Sequence, residues 1–149
     1  MQYHIFSPYR VCPLGAHVDH QHGLVTGFAI DKGVDLWFDI AADSKVSLHS
    51  ETFTGDVSFD IATPALVKQG HWGDYARGAK FALQKRFKLE KGITGVIRGS
   101  IPVGGLSSSA AVLIAYTMAF ARANGIQLEP FEVMKIASEA KGPHSLLTS

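Results

Sequence analysis

The chain of 149 residues contains one cysteine, Cys12, so no disulfide can form within it. It has no apolar run of bilayer-spanning length; the longest lies around Ala110 to Ala115. Its start lacks a basic segment followed by an apolar stretch, so no secretory leader is expected. There is no repeat, low-complexity segment or linker-like stretch. Basic residues do not alternate with aromatics, which argues against nucleic-acid binding. Together these absences predict a cytoplasmic protein with no membrane and no nucleic-acid partner. What is present is a globular balance, 46% hydrophobic and 18% charged. The length suits one domain with a core of its own and is too short for two ordinary ones.

The net charge of +1 hides an asymmetry. Residues 1–75 carry four Lys/Arg against nine Asp/Glu, a net of −5, and residues 76–149 carry ten against four, a net of +6. A basic half suits a polyanion such as a nucleotide. Six of the ten positives fall between Arg77 and Lys91, however, and read more simply as one solvated helix face.

Ile5–Val11 reads as a strand or extended entry broken by Pro8 and Pro13, and Leu24–Ile30 as a strand; alternation, partial at Val34–Ile40 and regular at Val46–Ser50 and Val57–Ile61, predicts strands there. Gly15 to Gly23 reads as a loop or short helix. From Trp72 the spacing changes. Tyr75, Ala79, Ala82, Leu83 and Phe87 recur at three and four residues, which predicts a helix that Asp74 opens and Gly92 closes. Ile93–Ser100 reads as a strand. Ala110–Ala123 is apolar on nearly all sides, hence a buried helix ended by Asn124-Gly125. Pro130–Ala140 reads as a last helix with Glu132 in its first turn. Strands followed by helices make an α+β domain with one βα junction, at a Gly/Ser loop.

That loop, Pro102-Val103-Gly104-Gly105-Leu106-Ser107-Ser108-Ser109-Ala110-Ala111, is the most informative segment. Two glycines let the backbone turn sharply and approach a ligand closely. The first amides of the helix that follows have no internal partner, and its dipole favours an anion in front of them. Serine hydroxyls donate to phosphate oxygens or ligate a hard cation such as Mg²⁺. No Gly-Lys-Ser/Thr follows, so this is not a Walker loop. One serine would suffice for an ordinary N-cap; three after Gly-Gly fit a phosphate cradle better.

The loop resembles the ATP-binding motif of the GHMP small-molecule kinases, the family of galactokinase, homoserine kinase and mevalonate kinase, one residue shorter between Pro102 and Leu106. Ser7-Pro8-Tyr9-Arg10-Val11-Cys12-Pro13-Leu14-Gly15-Ala16-His17-Val18-Asp19-His20 resembles the galactokinase signature at Pro8, Arg10, Val11, Gly15, His17 and Asp19. Ala29-Ile30-Asp31-Lys32-Gly33 and Trp72-x-x-Tyr75-x-x-Gly78 resemble galactokinases in the same order.

The resemblance implies a galactokinase-like kinase that moves the γ-phosphoryl of ATP to a sugar hydroxyl with Mg²⁺. The fold implied is the N-terminal GHMP domain, of ribosomal protein S5 domain 2 type, over residues 1–140. Arg10 would stabilise the transferring phosphoryl. His17 and Asp19 would hold the sugar. Gly104, Gly105, Leu106, Ser107, Ser108, Ser109 and Ala110 would cradle the nucleotide, with Mg²⁺ at Ser108 or Ser109. Without the motif, Arg10 and Asp19 each read first as members of a surface ion pair.

Ala16 stands where the galactokinase signature has a glutamate that contacts the sugar, and His20 replaces a tyrosine. These changes shift recognition away from galactose toward a related sugar, arabinose or a uronic acid. A non-catalytic sugar or nucleotide sensor is the alternative from another class. His17, Asp19, His20 and His22 lie close together, but their spacing fits neither a zincin helix nor a finger, so no metal site is expected there. Residues 141–149 match nothing in the resemblance. The expectation is an incomplete kinase, without the catalytic base and the second domain. Half a cleft would be exposed, favouring a homodimer through it.

Overall fold

The computed structural model describes residues 2–14, 26–51, 55–63, 72–99 and 108–141; within these, the side chains of 9–14, 26–32, 108–110 and 141 lie outside the description. The elements run β1 (Tyr3–Leu14), β2 (Thr26–Ile40), β3 (Lys45–Ser50), β4 (Asp56–Asp60), α1 (Asp74–Gln84), β5 (Ile93–Gly99), α2 (Ser108–Ala123) and α3 (Pro130–Lys141). This is the expected α+β order. The strands form one sheet in the order β1-β2-β5-β3-β4, antiparallel throughout except that β5 runs parallel to β3.

The alternation in sequence becomes two sheet faces. Val34, Leu36 and Phe38 of β2 are buried, with Val46 and Leu48 of β3 and Ile93 and Ile97 of β5. Asp35, Trp37 and Asp39 fall between them and face the other way. The helices pack on the apolar face. α1, α2 and α3 all touch one another, and α2 packs against β1 and β2. Ala111, Ala115 and Ala119 let it approach closely, and Tyr116 and Phe120 fill the core, stacked at 6.0 Å. The opposite face is left to polar and aromatic ladders, as a half-solvated sheet allows. There Trp37 is stacked on His4 at 5.0 Å and lies 5.0 Å beneath the Arg98 guanidinium.

Three sequence expectations are corrected. The two strands expected at 24–30 and 34–40 are one strand, β2. Gly33 makes no turn; it pairs with Pro8 where β1 presses closest, and a Cβ there would lie 2.3 Å from the Ser7 carbonyl oxygen. Helix α1 stops at Gln84 and does not reach Gly92. Arg86 and Phe87 both donate their amides to the Leu83 carbonyl, which ends the helix. Gly92 instead lies against the β2–β3 turn, donating to the Asp43 carbonyl and accepting from Ala41; a Cβ there would lie 2.1 Å from the Lys45 carbonyl oxygen. Third, the basic run from Arg77 to Lys91 is not one solvated face. Lys85, Arg86, Lys88 and Lys91 are exposed, but Arg77 and Lys80 are buried at 6% and 3% exposure. The expected C-terminal stop of α2 does hold, with Gly125 at φ +67° and the Ile126 amide bonded back to Ala121.

Candidate phosphate and sugar site

Arg10 lies in β1, opposite Ala29 of β2 and just past a register shift that follows Pro8. Ser108 and Ser109 are the first two residues of α2, and Ala110 completes the opening of its first turn. His17, Asp19, Gly104, Gly105, Leu106 and Ser107 lie outside the described residues, as do His20 and His22. The remaining candidates can be placed relative to one another by tracing two elements.

Helix α2 packs along β1, and near the helix end the Arg122 guanidinium lies 5.4 Å over the Tyr3 ring at the start of the strand. From Arg122 back to Ser108 is fourteen residues, roughly 21 Å of helix at 1.5 Å per residue. From Tyr3 forward to Arg10 is seven residues, roughly 23 Å of strand at 3.3 Å per residue. The two lengths are similar. Ser108 and Arg10 each stand roughly 20 Å along their own element from the Arg122–Tyr3 contact.

The amino end of α1 adjoins this region. Tyr75 packs against Leu113 and Ala137, so it lies within about two turns of Ser108 along α2 at 3.6 residues per turn. Burial raises the Tyr75 phenol above its ordinary range, and the neighbouring Asp74 adds to the shift. Below it, Arg77 Nη1 donates to Asp74 Oδ1 at 3.3 Å, with both side chains buried. The guanidinium also lies 5.5 Å over the Phe59 ring. Lys80 shares that ring at 5.6 Å, and its Nζ donates to the Thr63 carbonyl at 2.7 Å. Burial lowers the Lys80 ammonium; Asp60 opposes that shift and Arg77 adds to it.

This cluster was missed at the sequence level. The signal was available: Asp74 and Arg77 are three apart on a helix whose Ala76, Ala79 and Ala82 are small enough to draw the stripe beneath them inward. What the cluster does is hold the first turn of α1, and with it Trp72 and Tyr75, in one position. Gly73 reports how close the packing is, since a Cβ there would lie 2.6 Å from Val57 Cγ2 and 2.9 Å from Arg77 Nη1. Among the described residues no group of three or more His, Cys, Asp or Glu is arranged to hold a metal ion. Hydroxyl oxygens from Ser108 and Ser109 are hard donors of the kind Mg²⁺ prefers, so the residue types at the start of α2 fit that ion. No helix among the described residues is long and apolar enough to cross a membrane.

The family model described as the GHMP kinases N terminal domain matches residues 74–146. A galacturonokinase of Arabidopsis thaliana is 42% identical over 147 aligned positions, covering 86% of this chain and 35% of the relative. A galactokinase of Thermococcus kodakarensis is 32% identical, covering 92% of this chain and 38% of the relative. Among solved structures, galactokinase of Lactococcus lactis complexed with galactose superposes with a TM-score of 0.88 at 26% identity, over 98% of this chain and 39% of that one. The mevalonate kinase of Methanococcus jannaschii shares the fold, with a TM-score of 0.79 at 18% identity over 95% of this chain and 46% of that one. The chain thus spans little more than a third of the length of the sugar-kinase relatives it matches. From its matched domain, its similarity to sugar kinases and its fold, the chain belongs to the GHMP kinases and is galactokinase-like within them.

Proposed function

We propose that these residues form the nucleotide- and sugar-binding part of a GHMP sugar kinase that transfers the γ-phosphoryl of ATP to a hydroxyl of a sugar acid. What supports the reading is that α2, which opens at Ser108, packs along β1, which carries Arg10, with the Arg122–Tyr3 contact at the far end of both. In this reading the Gly104–Ala110 segment wraps the phosphates, whose charge the helix start and the serine hydroxyls offset. Arg10 offsets the charge that spreads over the transferring oxygens. His17 and Asp19 hold the sugar hydroxyls. Mg²⁺ at Ser108 or Ser109 would supply further neutralisation of phosphate charge.

Two facts favour a uronic acid over galactose. Ala16 replaces a glutamate that would repel a sugar carboxylate, and the galacturonokinase relative is more similar than the Thermococcus kodakarensis galactokinase, 42% against 32%. Positioning supplies most of the catalysis of phosphoryl transfer, and the resemblance implies a cleft between two domains. For the 149 residues by themselves the proposal is therefore ligand binding without turnover.

Calorimetry of Mg·ATP against the chain tests the cradle. Binding should be saturable, and Ser108→Glu, which puts a carboxylate where the phosphates would sit, should weaken it at least tenfold. Unchanged affinity in that variant would defeat the nucleotide assignment. The sugar assignment is tested by ADP release from a protein carrying these residues joined to the remaining length of a relative. Galacturonate should be preferred, and Ala16→Glu should reverse the preference. Preference for galactose in the parent would leave a kinase and remove the sugar acid.

A further inference from the structure

Asn124 is the only asparagine in the chain, and Gly125 follows it. Asparagine is a labile residue, and a glycine after it leaves the next backbone nitrogen unshielded by any side chain. Here the pair closes α2 at the surface. Gly125 is exposed, with φ +67° and nothing within 4 Å of where a Cβ would stand, so solvent base reaches this corner. The Asn124 carboxamide, in contrast, is fully engaged. Its Oδ1 accepts from the Glu90 and Lys91 amides, and its Nδ2 donates to the Lys91 and Phe120 carbonyls, all four between 2.7 and 2.9 Å. The Gly125 amide donates to the Arg122 carbonyl at 3.3 Å.

We infer that Asn124-Gly125 is a deamidation site held closed by the fold, which reacts only when the tie between the end of α2 and residues 90–91 comes apart. In the reaction the Gly125 nitrogen gives up its proton and attacks Asn124 Cγ. The N–Cγ bond forms, the Cγ–Nδ2 bond breaks, and Nδ2 leaves as ammonia with the proton that the glycine amide lost. Water then opens the cyclic imide. Cleavage at Cγ gives aspartate, and cleavage at the backbone carbonyl gives isoaspartate. The native arrangement opposes both requirements of the attack. Turning the carboxamide toward the glycine nitrogen takes it from its four partners, and that nitrogen must leave the Arg122 carbonyl before it loses its proton.

The product does not restore the tie. A carboxylate has no hydrogen to donate to the Lys91 and Phe120 carbonyls. Isoaspartate also adds a methylene to the main chain between α2 and Gly125. Local opening is reversible, but conversion is not, so the pair acts as a one-way timer on the joint between α2 and the segment that feeds β5. Nothing in this inference depends on nucleotide or sugar binding.

Incubation of the full chain at mildly alkaline pH tests it, read by intact mass and by peptide mapping that separates aspartate from isoaspartate. In urea above the unfolding transition Asn124 should convert readily, with isoaspartate the larger product. In native buffer conversion should be at least tenfold slower, and the slowing should equal the hydrogen-exchange protection of the Glu90 and Lys91 amides within a factor of about three. Urea below the transition should raise conversion and exchange together. Gly125→Ala should slow conversion of the unfolded chain at least fivefold by crowding the attacking nitrogen. The isolated deamidated protein should lose protection at Glu90 and Lys91. Native conversion as fast as that in urea overturns the inference, as does a slowing that departs from the measured protection. So does aspartate as the sole product, an unfolded alanine variant that reacts as fast as the parent, or a deamidated chain that keeps both amides protected.

Discussion

Asn124 offers the sharpest test of how the domain is held together. It follows the last residue of α2, and its amide is spent entirely on backbone. Oδ1 accepts from the Glu90 and Lys91 amides at 2.7 and 2.8 Å, and Nδ2 donates to the Lys91 and Phe120 carbonyls, both at 2.9 Å. One side chain thereby ties the end of α2 to the segment that feeds β5. Asn124→Ala removes all four bonds. At a net ~0.5–1.5 kcal/mol each, with most of the freed groups reachable by water, the loss comes to about 2–3 kcal/mol. For a domain of this size that lowers the melting midpoint by roughly 5–10 °C. Asn124→Asp discriminates further. It keeps both acceptor bonds but sets a carboxylate against two carbonyls at a helix C-terminus, so it should be no more stable than the alanine variant. Thermal melts followed by circular dichroism give the midpoint, and hydrogen exchange should show protection lost first at Glu90 and Lys91. A midpoint within about one degree of the parent, with those amides still protected, would refute the argument, since by the scaling used here one kcal/mol alone moves it further.

Other consequences follow from particular contacts. Gly92→Ala and Gly33→Ala each force a Cβ to within 2.1 and 2.3 Å of a backbone carbonyl oxygen, so both should cost more than about 3 kcal/mol and appear as insoluble protein on expression. Gly125→Ala meets no atom within 4 Å and pays only for its positive φ, so it should cost about 1–2 kcal/mol and remain soluble. Phe59→Ala removes the ring that Arg77 and Lys80 share and that meets Phe120 edge-on at 6.4 Å, and should cost about 2–4 kcal/mol in chemical denaturation. The two-bond Arg86–Glu139 pair lowers the Glu139 carboxyl below its ordinary range, chiefly through the hydrogen bonds from Arg86. Its stabilisation should be present above the unfolded carboxyl value and be lost as pH falls through the depressed folded value. Glu139→Gln should flatten that part of the pH–stability curve, and a curve of unchanged slope would count against the pair.

Much of the fold was legible as periodicity. Alternation at Val34–Ile40 and Val46–Ser50 gave the buried sheet face, and the apolar run Ala110–Ala123 gave the central helix, because burial of one face imposes its period on the chain wherever it is regular. Pro8 and Pro13 do not break β1, which runs from Tyr3 to Leu14 with shifts of register, and the other boundaries that misled involve glycine. Gly33 and Gly92 look like punctuation in sequence, yet each sits where another strand or turn passes too close for a side chain. A glycine needed for clearance and a glycine needed for a turn are the same letter, and only the neighbouring backbone tells them apart.

The site divides in the same way. The Gly/Ser loop and the Arg10 signature are local patterns, so their chemistry could be read from residue types and spacing. Their spatial relation could not, because Arg10 and Ser108 are 98 positions apart in sequence and it depends on how α2 packs along β1. Burial of Arg77 and Lys80 was equally hidden. Whether a cation on a helix meets water or lies under an aromatic ring depends on what the sheet places opposite it, and here that is Phe59 from β4. Local sequence thus determined the elements and the kind of chemistry they carry, while tertiary structure decided which charges are buried and which residues meet, since both depend on contacts between segments far apart in the chain.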